Sequence, residues 1–182
     1  MDNPVIASSP IEPLILGMVR AFNRGDFAPL LAGLTEDATW SDLAMLGRAP
    51  MLGREAIRGF CESVLRAFPD FHYEIRSPIC VSADGNHCAV LWKITGTNSG
   101  PLDPPGFAPT RRQVAFEGVD LFEFRAGKIR RIETIFNPLP AAEQVLSLRL
   151  LPRPGSAREK VLVLLQRLVA ATLRLAGLLV FA

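Results

Sequence analysis

Net charge is the first thing this chain has little of. Its 20 Lys and Arg nearly balance its 18 Asp and Glu, leaving a formal charge of +2 over 182 residues. That is too small and too scattered for the basic stripe a nucleic-acid backbone requires, so no nucleic-acid partner is expected. Two short basic clusters, Arg111-Arg112 and Lys128-Ile129-Arg130-Arg131, read as solvated strand ends. Cysteine is scarce as well. Cys61, Cys80 and Cys88 form no CxxC pair and leave an odd one over, which fits buried or half-buried thiols in a reducing compartment. No histidine context marks a partner that would make Cys61 a nucleophile. His72 and His87 lack metal-ligand spacing, so no metal is expected. The sequence has no GxGxxG and no P-loop, and no cofactor is expected. Residues 1–10, "MDNPVIASSP", hold neither a basic stretch nor a long apolar run. No signal peptide is therefore expected, and a cytoplasmic location is.

Apolar residues are plentiful: 49% of the chain is hydrophobic, enough for one domain with a substantial core plus an extension. Leu14, Met18 and Phe22, then Leu30, Leu31 and Leu34, with Gly25 between, predict two consecutive helices, the second short. "ATWSD" predicts a short strand. Ile57, Phe60, Cys61, Val64, Leu65 and Phe68 predict a third amphipathic helix, stopped by Pro69. Beyond Pro69 the apolar period falls to two, and "FHYEIRSPICVS", "HCAVLWKITGT", "RQVAFEGVDLFEF" and "KIRRIETIFN" predict four strands. "ADGN" and "RAGK" suit hairpin turns. Helices followed by antiparallel strands predict an α+β fold with the helices on one side of a curved sheet. The Pro-rich segment "NSGPLDPPGFAPTR" is open to two readings, a binding loop or a stiff connection.

After the breaker "LLPRPGSAREK" comes an apolar helix on which Lys160, Arg167 and Arg174, seven apart, draw one polar stripe. Such a helix must bury most of its circumference. Packing on its own barrel or on a partner subunit is the expectation, ahead of peripheral contact with a membrane surface and of spanning one.

Two aspartates stand out. Asp42 follows Trp40 and precedes Leu43, Met45 and Leu46, with no Lys or Arg before Arg48. In "FEGVDLFEF", alternation puts Asp120, Phe122 and Phe124 on one face and Val119, Leu121 and Glu123 on the other. A carboxylate sharing a face with two phenylalanines either finds a partner or shifts its pKa. The plain readings are a turn or cap residue for Asp42, and for Asp120 a strand-end carboxylate paired with Arg111 or Arg131.

From residue 11 to residue 145 the chain resembles the ketosteroid-isomerase-like (nuclear-transport-factor-like) superfamily, and within it the SnoaL-like polyketide cyclases. The residues that carry the resemblance are the A-T-x-x-D stretch ending at Asp42 and "GREAIRGF". With them go Phe68-Pro69-Asp70, Gly96-Thr97-Asn98-Ser99-Gly100, and "GVDLFEFRAGKI". The resemblance implies a conical barrel, a curved antiparallel sheet wrapped around the N-terminal helices; residues 1–10 remain outside it as a tail, and residues 146–182 as a linker and extra C-terminal helix. It also implies a homodimer and a cofactor-independent acid/base reaction on a hydrophobic polyketide- or terpenoid-like molecule. Asp42 stands where such enzymes carry a general base. Asp120 stands where the isomerases carry a neutral carboxylic acid that donates to the enolate.

Met18, Phe22, Trp40, Trp92, Phe122, Thr134, Phe136 and Asn137 are the expected pocket residues. Departures accompany the likeness. Met18 occupies the place of the isomerase's tyrosine, and the chain's one tyrosine, Tyr73, lies in a different element. Asn98 replaces a histidine, and Asn137 stands where cyclases commonly have an aspartate. The Arg-x-Asp triad of limonene-epoxide hydrolases is missing, Thr134 holding its last-strand position. Two alternatives stay open: opening of an epoxide by the same carboxylates, and a binding or accessory protein without catalysis.

Overall fold

Gly25 and Pro69 punctuate the helical part of the chain as their chemistry requires. In the computed structural model, which describes residues 10–42, 49–103, 106–149 and 151–175, α1 (Ile11–Arg24) ends at Gly25. There the left-handed φ of +67° lets its N–H close on Ala21 and Phe22 carbonyls. Asp26 then caps α2 (Phe27–Ala32), accepting from the Ala28 N–H. β1 (Leu34–Asp42) begins earlier than expected. Leu34 belongs to this strand and not to the second helix, because Gly33 closes the helix after only six residues. β2 (Met51–Leu52) is a short strand beside β1, and α3 (Gly53–Ala67) buries Ile57, Phe60, Cys61 and Ala67 before Pro69.

The remaining strands are β3 (His72–Ile75), β4 (Cys80–Val81), β5 (His87–Thr97), β6 (Gln113–Arg125) and β7 (Lys128–Phe136). The segment expected as one strand over "FHYEIRSPICVS" is thus two, β3 and β4, broken around Pro78. β6 and β7 are joined by Ala126-Gly127, both at positive φ (51° and 73°), the conformation of a tight type I′ hairpin. A helix without a sequence expectation, α4 (Pro138–Leu146), follows β7. The described residues form a mixed α+β fold with a curved, unclosed seven-stranded sheet in the order β2-β1-β7-β6-β5-β3, β4 pairing with β5. The sheet is not wholly antiparallel: β1 runs parallel to β7, with α3 and the strands from β2 to β6 forming the long connection that a parallel pair needs.

The core lies between the helices and one face of the sheet. Ile15, Met18 and Phe22 of α1, Leu30 of α2, and Ile57 and Phe60 of α3 meet Trp40, Val90, Phe122 and Ile132. A second cluster joins Val19, Tyr73 and Trp92 to Phe116 and Phe136. The thiols divide otherwise than expected. Cys61 and Cys88 are buried, with burial pushing both up to about 12, while Cys80 is exposed on a short edge strand.

Two of the motifs that carry the likeness, Phe68-Pro69-Asp70 and Gly96–Gly100, prove to be latches. Asp70 accepts from both the backbone N–H (2.6 Å) and the hydroxyl (2.7 Å) of Thr97, tying the end of α3 to the end of β5. Ser99 and Gly100 N–H groups cap the Ala67 carbonyl, and a Cβ at Gly100 would stand 2.0 Å from the Arg66 carbonyl oxygen. Asn98, fully buried, donates to the Gly100 carbonyl and accepts from Thr110. Of the two readings of the Pro-rich segment, these bonds favour the stiff connection.

From Arg149 onward the chain forms a second compact unit, containing α5 (Ala157–Leu175). The described helices include none long and apolar enough to cross a membrane.

Candidate functional site

Strand register sets the candidate site. Asp42 pairs with Thr134 across β1–β7, and Thr134 pairs with Asp120 across β7–β6, so the three occupy one cross-strand row. Neighbours in such a row project to the same side of the sheet. The inward parity of β6 follows the sequence expectation: Asp120, Phe122 and Phe124 are buried, whereas Leu121 is partly exposed. Asp42, at the end of β1, is half-buried. Leu43, Met45, Leu46 and Arg48, which frame it in sequence, lie outside the described residues.

Asp120 is 2% exposed and makes no pair with arginine. Arg131 pairs with Glu133 on the far face instead, and Arg111 lies exposed in the loop before β6. The partners of Asp120 are two hydroxyls. Thr134 donates to one carboxylate oxygen at 2.7 Å and Tyr73 to the other at 2.9 Å. Trp40 Nε1 donates to the Thr134 hydroxyl at 2.8 Å, so the threonine proton is directed onto Asp120. Trp92 Nε1 is buried with no acceptor at hydrogen-bonding geometry, yet it lies close enough to favour the charged carboxylate.

Burial dominates this balance and pushes Asp120 up to about 6. The Thr134, Tyr73 and Trp92 donors oppose the rise, and the charge of Asp42 adds to it. The Tyr73 phenol is driven well above its ordinary range by burial first and by Asp120 second. It is a proton donor throughout the physiological range.

Tyr73 is the functional candidate that sequence reading missed. β3 is an edge strand, and Asn23 of α1 holds its backbone like a neighbouring strand. The Asn23 side chain accepts from the Tyr73 N–H at 2.8 Å and donates to the Tyr73 carbonyl at 2.9 Å. The Tyr73 ring, 5.8 Å from that of Trp92, then reaches past β5 to Asp120. The available signal was the alternation of Phe71, Tyr73 and Ile75, which places the phenol on the inner face.

The expected pocket residues divide. Trp40, Thr134 and Trp92 surround Asp120, and Phe122 adjoins it on β6. Phe136 packs on Trp92 with ring centroids 6.1 Å apart. Phe22 packs on Phe71 and Phe27, in the core beneath. Met18 borders a separate cavity of about 180 Å³ between α1 and α2. Asn137 does not join the group: it is exposed, and its side chain caps α4 by accepting from the Leu139 N–H. Its neighbour Pro138 opens that helix, which gives the amide a local role instead of a pocket one. A larger cavity of about 420 Å³ is lined by Ala89, Leu121, Glu123, Arg131 and Glu133 from the opposite face of the sheet, and neither Asp42 nor Asp120 lines it. Among the described residues no three His, Cys, Asp or Glu side chains converge as metal ligands.

The arrangement can hold one carboxyl group near its midpoint of titration in an apolar wall, beside a second, more accessible carboxylate. That is the equipment for moving a proton.

Comparison with known proteins identifies the domain family and the fold. The SnoaL-like domain model matches residues 15–132. AclR of Streptomyces galilaeus, classed as a hydroxylase, superposes with a TM-score of 0.66 at 22% identity, over 94% of this chain and 98% of its own. A protein of Jannaschia sp. CCS1, classed as a SnoaL-like polyketide cyclase, gives 0.66 at 18% identity, over 80% and 96%. A Catenulispora acidiphila protein of ketosteroid isomerase-like fold, in complex with trimethylamine, gives 0.60 at 20% identity, over 74% and 92%. At these identities the likeness establishes the fold. No curated protein sequence matches the chain.

Proposed function

The chain belongs to the SnoaL-like domain family, and from that premise we propose that it is a cofactor-independent acid/base enzyme. Its substrate would be a hydrophobic polyketide- or terpenoid-like molecule of secondary metabolism, which it cyclises or isomerises. The observation that carries this reading is the row Asp42–Thr134–Asp120, with Asp120 buried and raised to about 6.

Asp42, the less buried carboxylate, is the base that removes a proton next to a carbonyl. Asp120, which keeps its proton up to about pH 6, donates in its protonated form to the oxygen on which charge develops, so turnover declines as pH rises above that value. Tyr73 supplies the phenolic donor that Met18 cannot, working through Asp120. The Trp92 N–H, buried without an acceptor, is the remaining donor for a substrate oxygen, and Trp40, Phe122 and Phe136 supply apolar wall. Two copies pair through the outer face of β5–β6–β7, where Leu91, Leu121 and Ile135 stand 48%, 37% and 43% exposed. Three unpaired cysteines support a reducing, cytoplasmic setting.

The test is turnover by the purified protein of three probes: a poly-β-ketone, a β,γ-unsaturated ketone and an epoxide. Conversion of either ketone, lost in Asp42→Asn with the fold intact, supports the reading. Conversion of the epoxide alone assigns the same carboxylates to epoxide opening. A second reading has its own observation: both Asp120 oxygens are already occupied by Tyr73 and Thr134, as in a core carboxylate that shapes a binding site without catalysis. Binding of hydrophobic ketones with no turnover of any probe would favour it.

A further inference from the structure

The C-terminal unit has a charge and polarity pattern that the proposed chemistry does not use. Residues 149–175 carry six basic residues and one acid, while the preceding 148 carry fourteen basic and seventeen acidic. The chain's excess of positive charge therefore resides on the tail. On α5 the large side chains Val161, Leu162, Leu164, Leu165, Leu168 and Val169 are 47–58% exposed. At 100° per residue these six, with Leu173, fall within about half of the circumference. Thr172 and the first-turn Arg158 interrupt that arc. The other half carries Gln166, Glu159 and the row Lys160, Arg167 and Arg174, with Val163 (42% exposed), Ala170 and Ala171 among them.

We infer that α5 docks flat on an anionic lipid surface, its apolar half in the acyl boundary and its cationic row at the headgroups. Three observations favour lipid over a second copy or a span. The apolar arc is far wider than the two-position seam by which helices zip together. A second α5 would bring the same cations, with Glu159 alone on each helix to offset them. No described helix can cross a bilayer. A wide apolar arc opposite a row of cations is an attribute of an interfacial helix. Each cation near an anionic surface adds to the attraction, and salt screens it. A chain so held would meet a hydrophobic small molecule where such molecules partition.

The experiment is flotation of the full chain with vesicles of phosphatidylcholine alone or mixed with phosphatidylserine, at low and high salt. Expected is flotation with the mixed vesicles, weak binding to neutral ones, and release by salt. The triple variant Lys160→Glu/Arg167→Glu/Arg174→Glu should lose at least about tenfold in partitioning, with far-UV circular dichroism checking its helix. Equal flotation with neutral vesicles, or none with either, overturns the inference. So does a dimer that Leu165→Asp converts to monomer while the native chain ignores vesicles, which assigns the arc to a second copy. The salt series uses the native chain, so misfolding of a variant leaves the inference testable.

Discussion

Tyr73 and Asp120, 47 residues apart in sequence, are joined by a hydroxyl–carboxylate hydrogen bond of 2.9 Å. The bond is possible because β3 and β6 flank β5, and because Asn23 fixes the backbone of β3 at the sheet edge. A buried acid is thereby supplied with a donor on each oxygen, and its remaining rise in pKa is what burial and the charge of Asp42 leave after these donors and Trp92 have acted.

Tyr73→Phe deletes one of those donors without opening a large cavity. Hydrogen bonds to charged groups are worth about 1.5–3 kcal/mol. The variant should lose stability of that order near neutral pH, where Asp120 is mostly ionised. Its Asp120 should titrate above the native value. Urea unfolding and carboxyl-carbon NMR measure the two.

Thr134→Val has a double effect. It removes the second donor to Asp120 and also leaves the Trp40 indole N–H without its acceptor. An unsatisfied buried donor costs about 1–3 kcal/mol by itself, so Thr134→Val should destabilise more than Tyr73→Phe in the same unfolding series.

Asp120 also sets a pH dependence of stability. Its folded pKa of about 6 lies above the ordinary 3.8, so the folded chain holds this proton more tightly than the unfolded one. The contribution is fully present below the unfolded value and is lost as pH rises through about 6. On this account stability falls between roughly pH 4 and pH 6 by an amount up to about 3 kcal/mol. Asp120→Asn, which cannot ionise, should remove that slope. Denaturant midpoints measured across the window check it.

Gly100→Ala tests the latch at the end of α3. The new Cβ would meet backbone, 2.0 Å from the Arg66 oxygen and 2.9 Å from its carbonyl carbon, so the loop must move and the caps on Ala67 must break. A loss of about 1–3 kcal/mol or more is expected, read as a lowered Tm. The same change at Gly17, with open space around it, should not lower it.

Much of this was legible in the sequence, and for identifiable reasons. Alternation in "FEGVDLFEF" depends only on neighbouring residues, and the inward face of Asp120, Phe122 and Phe124 followed from it. The three helices and the two hairpin turns rest on equally local signals. What could not be read is what the tertiary fold decides. The Tyr73 contact spans the sheet, and the parallel pairing of β1 with β7 brings Asp42 beside Thr134 from 92 residues away. Asn137 reads as a pocket residue because it stands where cyclases commonly have an aspartate at the end of the last strand, yet a proline after it starts a helix that claims its side chain. Asn98 and Asp70 read as motif residues, and the structure gives them the work of fastening loops.

Asp42 and Asp120 act on each other across Thr134 in an apolar wall. The most direct measurement is a carboxyl-carbon NMR titration of the full chain and of Asp42→Asn, with Asp120→Asn for assignment. Asp120 should titrate near 6 in the native chain and lower in Asp42→Asn, because a like charge has been removed. An Asp120 that titrates near 3.8, indifferent to Asp42→Asn, would contradict it.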